Sequence, residues 1–442
     1  MKHILILGGG IAGLGSAWFL KKECKTPLKI TLLEKSNRIG GYIKTDEENN
    51  VLFEKGPRGF RVDGKGEKTL KLVSGLRLNK ELIFADPNVK KRYLLIDKKL
   101  RRIPSSLPAL LFSPHFSFLL PLLFRERNIP FEEKEDETIA DFFCRRFSKE
   151  MLSTIIDPFV SGIMAGDAEK LSIQSCFPQL VSWEREYNSI IRGYFRKKEK
   201  KKHPSSLCSF IGGMETLTLA LARYLQGEGI HIRYDTPASA LTFEAGKVLL
   251  RANDQWIEAD FAISALPLEE LKKCFNPIAP LLDKIPTASV VVVNLAFERK
   301  PTRYTGYGYL VPSREKEEIL GVTFDSDIFP SQDIRPLYRY TVMLGGTKFP
   351  QMVEKSPSEL LKLARQALAN HLGVRDDPLF TQISLAKNAI PQYLLHHRTL
   401  LSQIERALPR ELLITGSSFY GVGINDCIDH AEKTAKKLNL LL

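Results

Sequence analysis

The chain has 442 residues, 43% of them hydrophobic, enough for a full core and, at roughly 150 residues per domain, for two or three structural units. Lys and Arg number 64 against 51 Asp and Glu, a net charge of +13, so phosphates, lipid headgroups and small carboxylates are the expected partners. Six scattered cysteines with no C-x-x-C pair argue against a zinc site or disulfide framework and for a reducing compartment, and no recognised nucleic-acid motif accompanies the charge.

The chain opens with "HILILGG", "IAGLGSAWFLKK" and "KITLLEK", which read as strand, turn, helix and strand, a βαβ unit with the apolar run of a buried parallel strand. The first strand begins almost at the initiator, so no cleaved leader is expected. A helix is predicted over 66–76. Residues 104–124 are very apolar but are cut by Pro104, Pro108, Pro114 and Pro121, which excludes a spanning helix and leaves an interfacial or buried helical patch. A basic run, "RKKEKKKH", occupies 196–203. It reads as a solvated loop or as a headgroup patch acting with 104–124.

From 206 the pattern returns to helix, glycine stop and strand, and "QWIEADFAISALP" reads as one strand ending in a turn. "SVVVVNLAF", "GYGYLVP" and "YRYTVMLGG" form a β-rich stretch, and the chain ends in a strand, a glycine-rich connection and a helix. The expected fold class is α/β. A discontinuous Rossmann-like nucleotide domain is assembled from 1–75, 206–265 and 386–442. A largely helical insertion spans 76–205, and a β-rich substrate unit spans 266–385.

Gly8-x-Gly10-x-x-Gly13 follows a strand and opens a helix. The three glycines suit a tight turn, close approach of a pyrophosphate, and packing of helix on sheet. The helix start offers unpaired N–H groups to phosphates, and Glu34, at the end of the second strand, is placed to accept from ribose hydroxyls. The intervening Gly9, Ile11 and Ala12, with Lys35 beside the acid, complete the expected dinucleotide contacts.

"EKSNRIGGYIKT", with Arg38, Gly40, Gly41 and Tyr42, resembles the extended signature of flavoproteins in the amine oxidase and polyene desaturase superfamily. "FEKGPRGF", with Gly56, Pro57, Arg58 and Gly59, resembles the second flavin contact of that superfamily. "TGSSFYGVGINDCIDHA", with Val422, Gly423 and Ile424, resembles the third. The resemblance also places Ala238 among the cofactor contacts. It implies FAD held as a prosthetic group.

"EKGPRGFR", "DPFVSGIMAGDAEKLSIQSCFPQL", "KNAIPQY" and "SSFYGVGINDCI" together resemble the oxygen-dependent protoporphyrinogen oxidases of haem synthesis, from first strand to last helix. That resemblance implies six-electron oxidation of protoporphyrinogen IX, with FAD as hydride acceptor and dioxygen reduced to hydrogen peroxide. The flavin is the electron sink, so no catalytic acid, base or metal is assigned. It implies a substrate propionate on Arg92 and a tetrapyrrole cleft lined by Phe159, Gly162, Tyr307 and Met343. Coproporphyrinogen III is the nearest rival substrate. A non-catalytic FAD-fold binding protein is the rival from another class. Peripheral attachment to the cytoplasmic side of the inner membrane is the expected location, and a homodimer is left open.

The animal members carry Trp and Arg where this chain has Tyr42 and Lys44, and Arg where it has Ser161. His396 and His397 are expected in a structural or rim role, and Cys427 as a small buried side chain rather than a flavin attachment point.

Overall fold

The computed structural model describes residues 1–197, 203–333 and 335–442. Its first layer is a five-stranded parallel sheet in the order His231–Arg233, Leu28–Leu33, Lys2–Leu7, Phe261–Ser264, Leu412–Ile414. Ile4, Leu5, Ile6 and Leu7 of the central strand are all fully buried, which is why that strand reads as an unbroken apolar run rather than an alternating one. Helices Ile11–Glu23, Glu215–Gly227 and Ile424–Leu441 cover one face. An antiparallel sheet of Ala238–Glu244, Lys247–Ala252 and Gln255–Ala259 covers the other.

"QWIEADFAISALP" is two strands, not one. Asp260 separates them by accepting the His3 N–H at 2.8 Å and pairing with Lys2 and Lys247 at 3.0 and 2.8 Å. These partners hold its carboxyl far below the ordinary range although burial opposes them. The chain leaves the antiparallel sheet before this residue and enters the parallel one after it.

The second layer is a seven-stranded mixed sheet in the order Phe380–Pro391, Thr287–Phe297, Tyr338–Gly345, Ile319–Thr323, Gly308–Leu310, Tyr93–Ile96, Lys99–Arg102. Its strands alternate. Val291, Val293, Val342 and Tyr309 pack with helix Pro357–Leu372 on one face, and Val290, Val292 and Met343 pack with Ala165 on the other. The hairpin 93–102 arises inside the stretch expected to be largely helical, and strand Phe380–Pro391 runs through position 386 without a break.

Residues 139–196 form helices over their own core of Ile139, Phe142, Phe143, Val160 and Tyr393. The apolar 104–124 segment contributes two short helices, Leu107–Leu111 and Leu119–Glu126, with Phe112 and Phe124 strongly exposed. No helix among the described residues is long and apolar enough to cross a membrane. Residues 198–202 of the basic run lie outside the described residues.

Candidate functional site

The glycine turn is built by close approach. A side chain at Gly13 would place its Cβ 2.0 Å from the Gly8 carbonyl oxygen, so the helix can begin there only with glycine. Above Gly10 a Cβ would meet nothing within 4 Å, and helix Ile11–Glu23 starts without a side-chain cap. An open cradle at an uncapped helix N-terminus is a site for phosphate. Glu34, 9% exposed, reaches into the turn and accepts the Gly9 N–H at 2.8 Å and the Ser36 N–H at 2.9 Å. Ala238 begins the strand two residues after Thr236, whose N–H donates to the Glu34 carbonyl at 2.9 Å.

The three separated contacts converge on this turn. Gly40 bridges Gly10 in parallel, and its N–H donates to the Gly9 carbonyl at 2.8 Å. Arg38 holds the loop that follows by donating to the carbonyls of Ile39 and Gly41 and to Glu215 at 3.3 Å. Gly56 packs on the Tyr42 carbonyl so closely that a Cβ would sit 2.0 Å from it, which seats the 53–60 segment against the 38–44 loop. Asn425, in the first turn of the C-terminal helix, donates to the Arg61 carbonyl and accepts from Thr69, both at 2.7 Å. That helix also starts uncapped, at Gly423. Ile11, Ala12 and Ile424 are buried behind the cradle and pack the two helix starts. Lys35 instead points outward and pairs with Glu270 at 3.2 Å. Lys44 shares Asp46 with Lys55, lying 3.2 Å from that carboxylate.

Arg58 of the Gly56–Gly59 turn leaves the nucleotide layer and lies on the second sheet. Its Nε is 3.1 Å from Asp325, and it donates to Thr341 at 3.3 Å and Asn294 at 3.4 Å. Behind it Glu54, 5% exposed, accepts the Met214 N–H at 2.6 Å and the Thr45 hydroxyl at 2.9 Å. Burial pushes its carboxyl up to about 7, only partly offset by these donors and by Arg58 and Arg339.

Thr341 and Asn294 share a sheet face with Met343 and Val292, so the polar row under Arg58 adjoins an apolar one. Arg92 and Tyr307 come together just before two neighbouring parallel strands of the same sheet, the guanidinium lying 4.3 Å from the ring centroid. Arg92 is exposed and, among the described residues, has no carboxylate partner. Helix Asp157–Met164 is anchored to the sheet through Asp157, which accepts from the Ser313 N–H and hydroxyl, each at 2.7 Å. A Cβ on Gly162 would lie 2.5 Å from Leu310, whose strand neighbour Gly321 pairs with Met343. Its small size therefore serves helix-on-strand packing, while Ser161 is buried and bonds back to the Pro158 carbonyl at 3.2 Å. Phe159 is half-exposed and lies 6.3 Å from Phe177. Ile163, four residues on and equally open, shares its helix face, a neighbour that i, i+4 spacing alone would have indicated. The sequence reading also missed Gln392, which is buried and donates to the Met164 carbonyl at 2.9 Å, and Leu310.

A family model described as flavin containing amine oxidoreductase matches residues 11–439. A protoporphyrinogen oxidase of Homo sapiens is 35% identical over 468 residues, covering 98% of both chains, and that of Bos taurus is 34% identical over 470 residues, covering 99% of this chain and 98% of its own. A solved chain from Exiguobacterium sp. 255-15 superposes with a TM-score of 0.87 at 22% identity, over 100% of this chain and 99% of its own, which supports the fold. The cyclohexylamine oxidase of Brevibacterium oxydans IH-35A superposes with a TM-score of 0.73 at 14% identity, over 100% and 99%. With its cradle, its three converging contacts and this full-length likeness, the chain belongs to the flavin-containing amine oxidoreductase family, as an FAD-dependent oxidoreductase of the protoporphyrinogen oxidase kind.

Proposed function

We propose that the chain oxidises protoporphyrinogen IX to protoporphyrin IX, a loss of six electrons, with dioxygen reduced to hydrogen peroxide. The observation that carries the substrate reading is Arg92: an exposed guanidinium without a carboxylate partner among the described residues, lying over the ring of Tyr307, which itself packs with Ala85, Ile328 and Phe329. A guanidinium fork matches a propionate, and stacking fixes its plane before the substrate arrives.

Gly8, Gly9, Gly10, Gly13, Glu34, Gly40, Gly41, Gly56 and the 422–424 turn would hold the FAD, with the two uncapped helix starts directed to its phosphates and polar ring edge. FAD, when bound, supplies the electron sink for hydride removal and passes the electrons to dioxygen. The protein's own task is placement. Arg92 holds a propionate, the Met343 and Leu310 face receives the macrocycle, and the Asp157 anchor fixes the helix carrying Phe159 and Ile163 against it. No side chain is assigned as acid or base.

The test is a fluorescence assay on flavin-loaded protein in air, with protoporphyrinogen IX and coproporphyrinogen III supplied separately and each timed against spontaneous oxidation. Preference for the first is expected. Preference for the second moves the reading to the more carboxylated substrate, and activity on neither sinks it.

We also propose that the chain acts as a peripheral protein on the cytoplasmic face of the inner membrane. Phe112 at 82% exposure and Phe124 at 68% support this, as do the exposed Tyr194 and Phe195. Washing a membrane fraction with high salt and then carbonate checks it; recovery wholly in the untreated cytosol refutes it.

A further inference from the structure

Tyr393 ends the "KNAIPQY" motif and His397 follows it four residues on; they are 1% and 3% exposed. Their rings stack with centroids 4.3 Å apart and planes 26° apart. The Tyr393 hydroxyl donates to the Ser417 carbonyl at 2.5 Å and accepts the Gly421 N–H at 2.8 Å. His397 Nε2 donates to the Phe419 carbonyl at 2.9 Å, the tautomer that a lone carbonyl partner selects. One stacked pair therefore grips residues 417, 419 and 421, the loop that ends immediately before Val422. Gly421 sits at a φ of +127°, so the loop is held in a conformation that ordinary residues avoid.

The pair is itself tied to the helical unit. The Tyr393 carbonyl accepts the Ser172 N–H at 2.8 Å, and the His396 N–H donates to Asp136 at 2.8 Å. Asp136 also accepts the Ser172 hydroxyl at 2.9 Å. The elements around the helix of Phe159 and the turn before the C-terminal helix thus meet at these two rings.

We propose that Tyr393 and His397 are positioning residues for the flavin: by gripping 417–421 they set where the 422–424 turn and the helix start at Ile424 meet the cofactor. This rests on the assignment of 422–424 to FAD. Neither ring touches substrate in this role; both act through the loop backbone.

Tyr393→Phe keeps the stacked ring and strips the hydroxyl, leaving the Gly421 N–H and Ser417 carbonyl unpartnered. His397→Phe does the same to the Phe419 carbonyl. His397→Gln keeps an N–H where Nε2 stood. In the holoenzyme both phenylalanine variants are expected to bind FAD about tenfold more weakly, with a shifted visible flavin spectrum and reduction potential, a lower kcat and an unchanged KM. His397→Gln is expected to stay within about twofold of the parent. Phenylalanine variants that fold with the parent's FAD affinity, spectrum and potential overturn the proposal, whatever their melting temperature. Where a variant does not fold, deuterium exchange on the parent chain decides: slow exchange of the Gly421 amide without FAD is expected, and free exchange overturns the grip. A parent chain that takes up no FAD overturns the cofactor assignment itself, which separates that failure from this one.

Discussion

The Gly9 backbone N–H donates to the Glu34 carboxylate at 2.8 Å, so the acid that ends the second strand is docked into the glycine turn by the fold alone. A second oxygen of the same carboxylate takes the Ser36 N–H and hydroxyl. The glycine turn and the loop after the second strand, both proposed to face the nucleotide, are thereby fixed to each other through one side chain.

Glu34→Ala removes the acceptor from amides that water reaches poorly. An unmet buried donor costs about 1–3 kcal/mol, so FAD is expected to bind about 5- to 150-fold more weakly. Flavin titration of the stripped protein measures this, and an unchanged affinity would remove Glu34 from the cofactor contacts.

Arg92 sits 4.3 Å from the Tyr307 ring, with its N–H fork turned to no carboxylate among the described residues. A charged hydrogen-bonded pair contributes about 1.5–3 kcal/mol. Arg92→Ala is therefore expected to raise KM by about 10- to 150-fold with kcat nearly held, because a propionate far from the reacting carbon is gripped equally in ground and transition states. Arg92→Lys should recover only part, since an ammonium neither forks nor stacks as a plane. A loss of kcat at constant KM would instead place Arg92 at the reacting carbon.

The βαβ start, the glycine turn and the C-terminal helix were legible because each depends on residues close in sequence. A short unbroken apolar run, a helix start and an acid about twenty residues on are all local signals. The split of "QWIEADFAISALP" was not legible: Asp260 breaks the strand by capturing His3 and Lys2, more than 250 residues away. The sheet membership of the 93–102 hairpin was hidden for the same reason, its partner being the strand at Gly308–Leu310. Gly162 shows a subtler limit. A small residue next to a cleft reads as room for a ligand, while the fold fills that room with Leu310. Lys35 shows another, being adjacent to the right acid yet directed to Glu270 at the surface.

The helical unit carries its own fully buried ion pair, Arg146 with Glu126, both at 0% exposure. Arg146 also donates to the carbonyls of Ile129 and Asn188 at 2.9 Å, and Glu126 accepts the Ser189 hydroxyl at 2.5 Å. Removing one partner strands the other charge, at about 3–5 kcal/mol. Arg146→Met is expected to loosen this unit, so that limited proteolysis cuts first within about residues 120–195, a span set by these contacts. A protease pattern identical to the parent's refutes this.

Glu54 gives the protein an inverted pH response. Burial raises its carboxyl from 4.5 to about 7, so the folded chain holds a proton that the unfolded chain has released. Below about pH 4.5 both states are protonated and Glu54 costs nothing. As pH climbs toward 7 the unfolded state ionises first, and stability falls, reaching a loss of roughly 3 kcal/mol once the folded carboxyl has ionised too. Glu54→Gln keeps an oxygen for the Met214 N–H and an amide for the Thr45 hydroxyl, and it cannot ionise. The difference in urea stability between variant and parent is therefore expected to be small near pH 4.5 and to grow by roughly 3 kcal/mol in the variant's favour by about pH 8. Other titrating groups are shared by both proteins and cancel in that difference. A difference that stays flat with pH would mean that Arg58 and Arg339 already keep Glu54 ionised, and that the row beneath the Gly56–Gly59 turn is a charged network rather than a neutral one.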